Sequence, residues 1–268
     1  MAKILRSETS LKRRQAAISR ELSWRAITRP LAWTFASAIA AWGGFNAIQT
    51  QSWNGLLVGV VILVFAAGYE MRLREIAAER RHIEGGRRGE QKMAERLAEQ
   101  LADDHVILND LELRVAHERA QIDHLVIAPS GIYVMESKFW AGTLSGDVLD
   151  AQWTQTRPGG RPRKVKRPVQ QCERQRRMFI TLLAAQVPED RIFALAVFTH
   201  PAVELRITHA QNRVFLVRDA IRFINDRCFD PPFMTPDEVM ALAERINRSQ
   251  DQLAHTPPPP PRPILAAC

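Results

Sequence analysis

The stretch QIDHLVIAPSGIYVMESK, residues 121–138, decides the reading of the chain. Ile122 to Ala128 and Ile132 to Met135 are nearly continuous apolar runs rich in β-branched residues, and Pro129-Ser130-Gly131 between them is turn chemistry. The segment therefore predicts a buried β-hairpin. Asp123, Glu136 and Lys138 are set into it. A charge on a strand built for burial is costly unless it is paired or holds an ion, so these three residues require a reason.

Side chains alternate across a strand, which puts Glu136 and Lys138 on one face and Ser137 on the other. If Pro129 and Ser130 form a two-residue loop, Ala128 pairs with Gly131, and counting back sets Asp123 opposite Glu136, roughly 5 Å apart at Cβ. Two carboxylates so placed repel one another unless a cation lies between them. A hard divalent ion, Mg²⁺ or Mn²⁺, held by one or two carboxylates and water, meets that need. In the alternative register Gly131 forms a left-handed bulge, the ladder slips by one residue, and Asp123 faces Ser137.

At these residues the chain resembles the nuclease-related domain family, NERD, a branch of the PD-(D/E)XK nuclease fold. The resemblance is carried by Gly86-Arg-Arg-Gly89-Glu90 opening a helix, Gln121-Ile-Asp123-His124, Gly131 with the strand into Glu136-Ser-Lys138, and Pro168-Val-Gln-Gln171 opening a later helix. These four pieces stand in order over roughly residues 80–220, with Arg167 where the family often has Asn. The resemblance implies an α/β fold with a restriction-endonuclease-like central mixed sheet flanked by helices. It also implies a site in which Asp123 and Glu136 hold the metal, Glu90 adds a ligand or positions the metal's water, and Gln171 helps to hold Lys138 or a phosphate oxygen.

The net charge of +8 over 268 residues is unevenly spread. Residues 1–29 hold eight Lys or Arg against two Glu, and residues 30–69 hold no charged side chain. A basic balance by itself is thus no sign of a nucleic-acid surface on the remainder. Cys172, Cys228 and Cys268 lack ligand or CxxC spacing, so neither a zinc site nor a disulfide framework is indicated. There is no GxxxxGK[ST], GxGxxG or HExxH, which leaves nucleotide-cofactor chemistry and zinc peptidase chemistry without a basis.

In chain order, residues 1–29 read as a basic segment with a weak helical pattern from Leu11 to Ile27, and residues 30–69 as two apolar runs divided by Gln49-Thr50-Gln51-Ser52. Each run would be about 25–27 Å long as a helix. Flanking Arg25, Arg29, Arg72 and Arg74 and interfacial Trp33, Trp53 and Tyr69 predict a transmembrane hairpin through residues 31–69 in the inner membrane, with both ends and the folded domain in the cytoplasm. The competing reading is a buried hairpin of a folded domain. Residues 70–85 read as a charged linker helix that Gly85-Gly86 breaks, and Glu90 to Leu101 as an amphipathic helix with Glu90 in its first turn. There a carboxylate would also serve as a plain complement to the helix dipole.

The domain is expected over residues 86–228, with a strand at Val106 to Leu113, an antiparallel meander around Gly142, Gly146 and Trp153, and further strands at Ile192 to Thr199 and Val214 to Val217. Residues 229–268 are expected to hold a capped helix, from Thr235-Pro236-Asp237-Glu238 to about Leu253, and a proline-rich tail. Residues 157–177 carry nine Arg or Lys against one Glu, the first half a loop and the second half a helix. Such a run is either a solvated face or a phosphate-gripping loop of Arg161, Arg163, Lys164, Lys166 and Arg167.

Two functions compete. One is a membrane-anchored, metal-dependent nuclease acting on nucleic acid, DNA before RNA, in which Lys138 orients the attacking water or stabilises the pentavalent state. The other is a non-catalytic, membrane-tethered module that binds nucleic acid or protein, with Glu136 and Lys138 a simple ion pair. His124, on the face opposite Asp123, reads as structural.

Overall fold

In the computed structural model the described residues are 1–6, 28, 30–46, 48–49, 53–115, 117–183 and 186–255. The basic segment to Ile27, apart from its first strand, and the proline-rich tail lie outside them. The chain divides into two compact units, one of Met1–Glu8 with Arg88–Cys268 and one of Thr9–Arg87.

The larger unit is a mixed α/β fold. Its main sheet has the order β1 (Lys3–Arg6), β2 (Val106–Val115), β3 (Glu118–Ala128), β4 (Gly131–Lys138), β8 (Ile192–Phe198), β10 (Val214–Leu216). β2, β3 and β4 pair antiparallel, while β8 joins β4, and β10 joins β8, in parallel. A smaller sheet has the order β7 (Arg163–Lys166), β6 (Gln152–Thr156), β5 (Gly142–Asp147), β9 (Val203–Thr208).

Helices cover both faces of the main sheet, which explains why β3 and β4 are apolar without alternation. Leu125, Ile127, Ile132 and Val134 pack with Phe179 of α3 (Pro168–Leu183) and Val239 and Leu242 of α5 (Pro236–His255). The intervening Val126, Tyr133 and Met135 pack with Met93 and Leu97 of α2 (Asn54–Gln100) and Ile221 of α4 (Val217–Asp226). At the start of α5 the Thr235 amide and hydroxyl donate to Glu238 Oε2 at 2.7 and 3.0 Å, and the Glu238 amide donates to Thr235 Oγ1 at 3.3 Å, the reciprocal cap expected.

Three expectations are corrected. Gly85-Gly86 does not break a helix: α2 runs unbroken from Asn54 to Gln100. A glycine costs a helix interior about 1 kcal/mol, and the burial of Met93 and Leu97 against the main sheet offsets that. Glu90 is therefore deep within α2, and a dipole-capping role for it disappears. The first half of the basic run is not all loop, since Arg163–Lys166 is the edge strand β7.

In the smaller unit α1 (residues 30–46) and the first part of α2 meet through small residues. A Cβ on Gly43 would lie 2.2 Å from the Gly55 carbonyl oxygen, and one on Gly59 would lie 3.2 Å from Ala40 Cα. Leu31, Phe35, Trp42, Phe45, Val61 and Phe65 are exposed. The expected pair of membrane-crossing helices nevertheless receives no support, because among the described residues no helix is long and apolar enough to cross a membrane.

Candidate active site

The hairpin turn fixes the site. Ala128 pairs with Gly131 and His124 with Met135, so the two-residue loop sets Asp123 opposite Glu136. Gly131 is not among the positive-φ glycines, so the bulged alternative does not occur. The ladder ends one residue short of Asp123, whose Oδ2 accepts the Ser137 amide at 2.8 Å in place of a strand partner. On the other side β2 pairs with β3 at Asn109–His124 and Leu111–Ile122, which leaves Asp110 opposite Asp123. Asp110 has a φ of 56° and accepts a hydrogen bond from Gln121 Nε2 at 2.7 Å. Three carboxylates thus stand abreast on β2, β3 and β4, where the β3–β4 ladder ends.

Helices on both faces reach this notch. From α3, Gln175 is buried and its Nε2 donates to Glu136 Oε2 at 2.8 Å and to the Gln121 carbonyl. Gln171, one helical turn earlier, accepts a hydrogen bond from Lys138 Nζ at 3.3 Å. Lys138 Nζ also donates to Glu136 Oε1 in a close ion pair. Glu90 comes from α2, and its field is felt at Asp123. Gly89 allows that approach: a Cβ there would lie 2.6 Å from Thr199 Oγ1 and 3.0 Å from Phe139 Cβ. Gly89→Ala is expected to cost about 1–3 kcal/mol, read in a urea melt, because the Thr199 hydroxyl and the packed Phe139 side chain must shift.

The electrostatics follow from crowding acids with one cation. Burial, with Asp110 and Glu136 beside it, lifts the Glu90 carboxyl to about 7. Burial, then Glu136 and Glu90, pushes Asp123 well above the usual carboxylate range. Burial alone would lower Lys138, but the adjacent Glu136 and then Asp123 raise it on balance, so it stays charged. His124 is buried, its Nδ1 is 2.7 Å from Asn109 Oδ1, and desolvation holds it neutral with a pKa of about 3.

Glu90, Asp123, Glu136, Lys138 and Gln171 therefore come together. Sequence reasoning missed Gln175 and Asp110, although Gln175 lies one helical turn beyond Gln171 and so shares its face. Among the described residues no group of three His, Cys, Asp or Glu side chains is arranged to hold a metal ion. Asp123 and Glu136 still fit one as a pair of hard oxygen donors, and Gln175 Oε1 beside them is buried without a partner.

The predicted basic contacts separate. Lys164 and Lys166 share the outer face of β7, with Lys164 Nζ 3.1 Å from Thr154 Oγ1, whereas Arg163 Nε donates to the buried Gln155 at 2.8 Å. Arg161 is exposed. Arg167 is turned inward, donating to the Val148 carbonyl at 2.6 Å, so its role is to hold the smaller sheet.

Residues 85–199 match the family described as the nuclease-related domain, NERD. The chain is 33% identical over 103 residues to a Streptomyces coelicolor protein named Probable kinase PglW, an alignment covering 38% of this chain and 6% of that protein. It is also similar to the crystal structure of protein VC1899 from Vibrio cholerae, at 12% identity and a TM-score of 0.24, covering 92% of this chain and 58% of that one. The matched residues contain Glu90, Asp123, Glu136, Lys138 and Gln171. Over residues 85–199 the chain is thus similar to the nuclease-related domain family.

Proposed function

We propose that this domain is a metal-dependent nuclease of the restriction-endonuclease-like, PD-(D/E)XK type, hydrolysing phosphodiester bonds of nucleic acid, DNA before RNA. The observation that carries the reading is the convergence of Asp123, Glu136 and Lys138 at one notch of the sheet, with Gln171 and Gln175 reaching it from α3. Asp123 and Glu136 are the residues suited to hold Mg²⁺ or Mn²⁺, which when bound lowers the pKa of its water and neutralises charge on the phosphate. Lys138, steadied between Glu136 and Gln171, keeps a positive charge where negative charge grows on the phosphoryl group. Glu90, with a pKa of about 7, is suited to take or give a proton near neutral pH. Gln175 holds the Glu136 carboxylate in place.

The test is cleavage: labelled DNA and RNA are incubated with the protein in Mg²⁺ or Mn²⁺, beside Lys138→Ala. The ion pair of Lys138 with Glu136 favours a second reading, a binding module without turnover. That reading gains if wild type binds nucleic acid yet yields no product.

Within the same proposal Arg161, Arg163, Lys164 and Lys166 contact backbone phosphates. Replacing all four with Ala is expected to weaken binding almost equally for all sequences and to flatten log affinity against log salt by about 3 units. Stability should move by no more than about 0.5 kcal/mol for each of Arg161, Lys164 and Lys166, and by more for Arg163, whose loss leaves the buried Gln155 oxygen without its donor. An unchanged salt slope removes β7 from the interface.

We also propose that residues 31–69 attach the chain to a bilayer. Small residues inside and large apolar ones outside is the pattern of helices packed in lipid. Alkaline carbonate extraction should leave the protein with the membranes, and its release into the soluble fraction would end the idea.

A further inference from the structure

We infer that a second anion site, built by α2, α4 and the turn after β8, holds a backbone phosphate of the bound strand beyond the scissile one. The inference rests on the nuclease reading. A cavity of about 450 Å³ is lined by Lys92, Arg96, Thr199, His200 and Arg218 together with apolar Phe198 and Leu216. Among the described residues no carboxylate lines it.

Lys92 and Arg96 stand four residues apart on α2, hence on one ridge. Lys92 has no acidic partner among the described residues. Arg96 and Arg218 reach Glu99 and Asp219 only at 3.9 Å, in exposed pairs worth little. Three cations therefore face one hollow, and the only acids paired with two of them, Glu99 and Asp219, sit outside its described lining in weak exposed contacts. His200 Nδ1 accepts the Ala202 amide at 3.0 Å, which leaves Nε2 as the protonated, donating nitrogen of a neutral ring. α4 opens at the same place with no side chain capping its first turn, so backbone donors add to the cations.

Its position ties the cavity to the proposed chemistry. Lys138 of β4 is in register with Phe198 of β8, and Phe198 with Leu216 of β10. The cavity thus lies at the same end of the parallel strands as Lys138, about 10 Å away across two strand spacings. Between them Thr199 donates its amide to the Lys138 carbonyl at 3.0 Å, and Phe139 packs on His200 with ring centroids 4.6 Å apart. A strand with its reacting phosphate at Lys138 would run over this turn into the cavity.

The test uses the full chain, metal-free so that nothing is cleaved, and a fluorescein-labelled 20-nucleotide single strand read by anisotropy across a salt series. Lys92→Gln/Arg96→Gln/Arg218→Gln is compared with wild type and with Lys164→Gln/Lys166→Gln. The triple variant is expected to bind on the order of tenfold or more weakly near 100 mM salt, with a slope flatter by about 2 units. All three side chains are exposed, so melting should be unchanged; Lys92→Glu alone, a milder change to the fold, should also weaken binding. Equal affinity and slope for wild type and triple variant, with the β7 variant weakened, would overturn the cavity and leave the nuclease reading standing. Loss of stabilisation by inorganic phosphate without any change in DNA binding would also overturn it, in favour of a small-anion site. No binding by wild type would sink both.

Discussion

Asp123→Asn is expected to abolish phosphodiester hydrolysis and at the same time to make the metal-free protein more stable. Asparagine keeps an oxygen to accept the Ser137 amide, now 2.8 Å from Asp123 Oδ2, so the local backbone has no reason to move. The change removes one of the acids crowded with Glu136 and Glu90, at a position where burial first and that crowding second already push the Asp123 carboxyl up. Neutralising a poorly compensated buried charge stabilises by about 1–3 kcal/mol, while loss of a metal-holding carboxylate should cost at least about 10²-fold in rate. Urea melts in EDTA and a cleavage time course check the two halves. Loss of both stability and activity would mean that the carboxylate holds the fold together and is not a strained functional group.

The second large effect is on pH and metal together. Glu90 has a folded pKa of about 7 against an ordinary 4.5, so between those values the folded protein holds a proton that the unfolded chain has released. Stability therefore falls as pH rises through this window and levels off above about pH 7, by at most about 3 kcal/mol from Glu90. Asp123, shifted in the same direction, adds to the fall. A divalent cation at the site favours the charged carboxylates and should flatten the profile. At 100 times its Kd it adds about 2.7 kcal/mol, most visibly above pH 7. Unfolding free energies at pH 5, 6, 7 and 8, with and without Mg²⁺, check this. Metal-free stability that rises from pH 5 to 7 would contradict the acid cluster as described.

The centre of the site was legible in the sequence because it depends on local rules. A two-residue Pro129-Ser130 loop fixes the register, strand alternation then fixes which side chains meet, and Asp123, Glu136 and Lys138 follow. The reciprocal Thr235–Glu238 cap was equally local. What failed depends on distant packing. Gly85-Gly86 reads as a helix breaker until the buried residues on either side of it are seen to hold α2 together. Gln175 is one more polar residue in an Arg- and Gln-rich run until α3 is seen to lie on the Glu136 face. The parallel pairing of β5 with β9, about 60 residues apart, and the left-handed backbone at Asp110 leave no periodic trace.

Asp123, Glu136 and Lys138 either cut a phosphodiester bond or only sit beside one. The most direct measurement is a time course of end-labelled DNA with the full chain in Mg²⁺, the full chain in EDTA, and Lys138→Ala in Mg²⁺. Product that accumulates in the first reaction alone, with the rate in the third down by about 10²-fold or more, is the result expected. Equal product in all three, or none from wild type with Mg²⁺ or Mn²⁺ on DNA and on RNA, would contradict it.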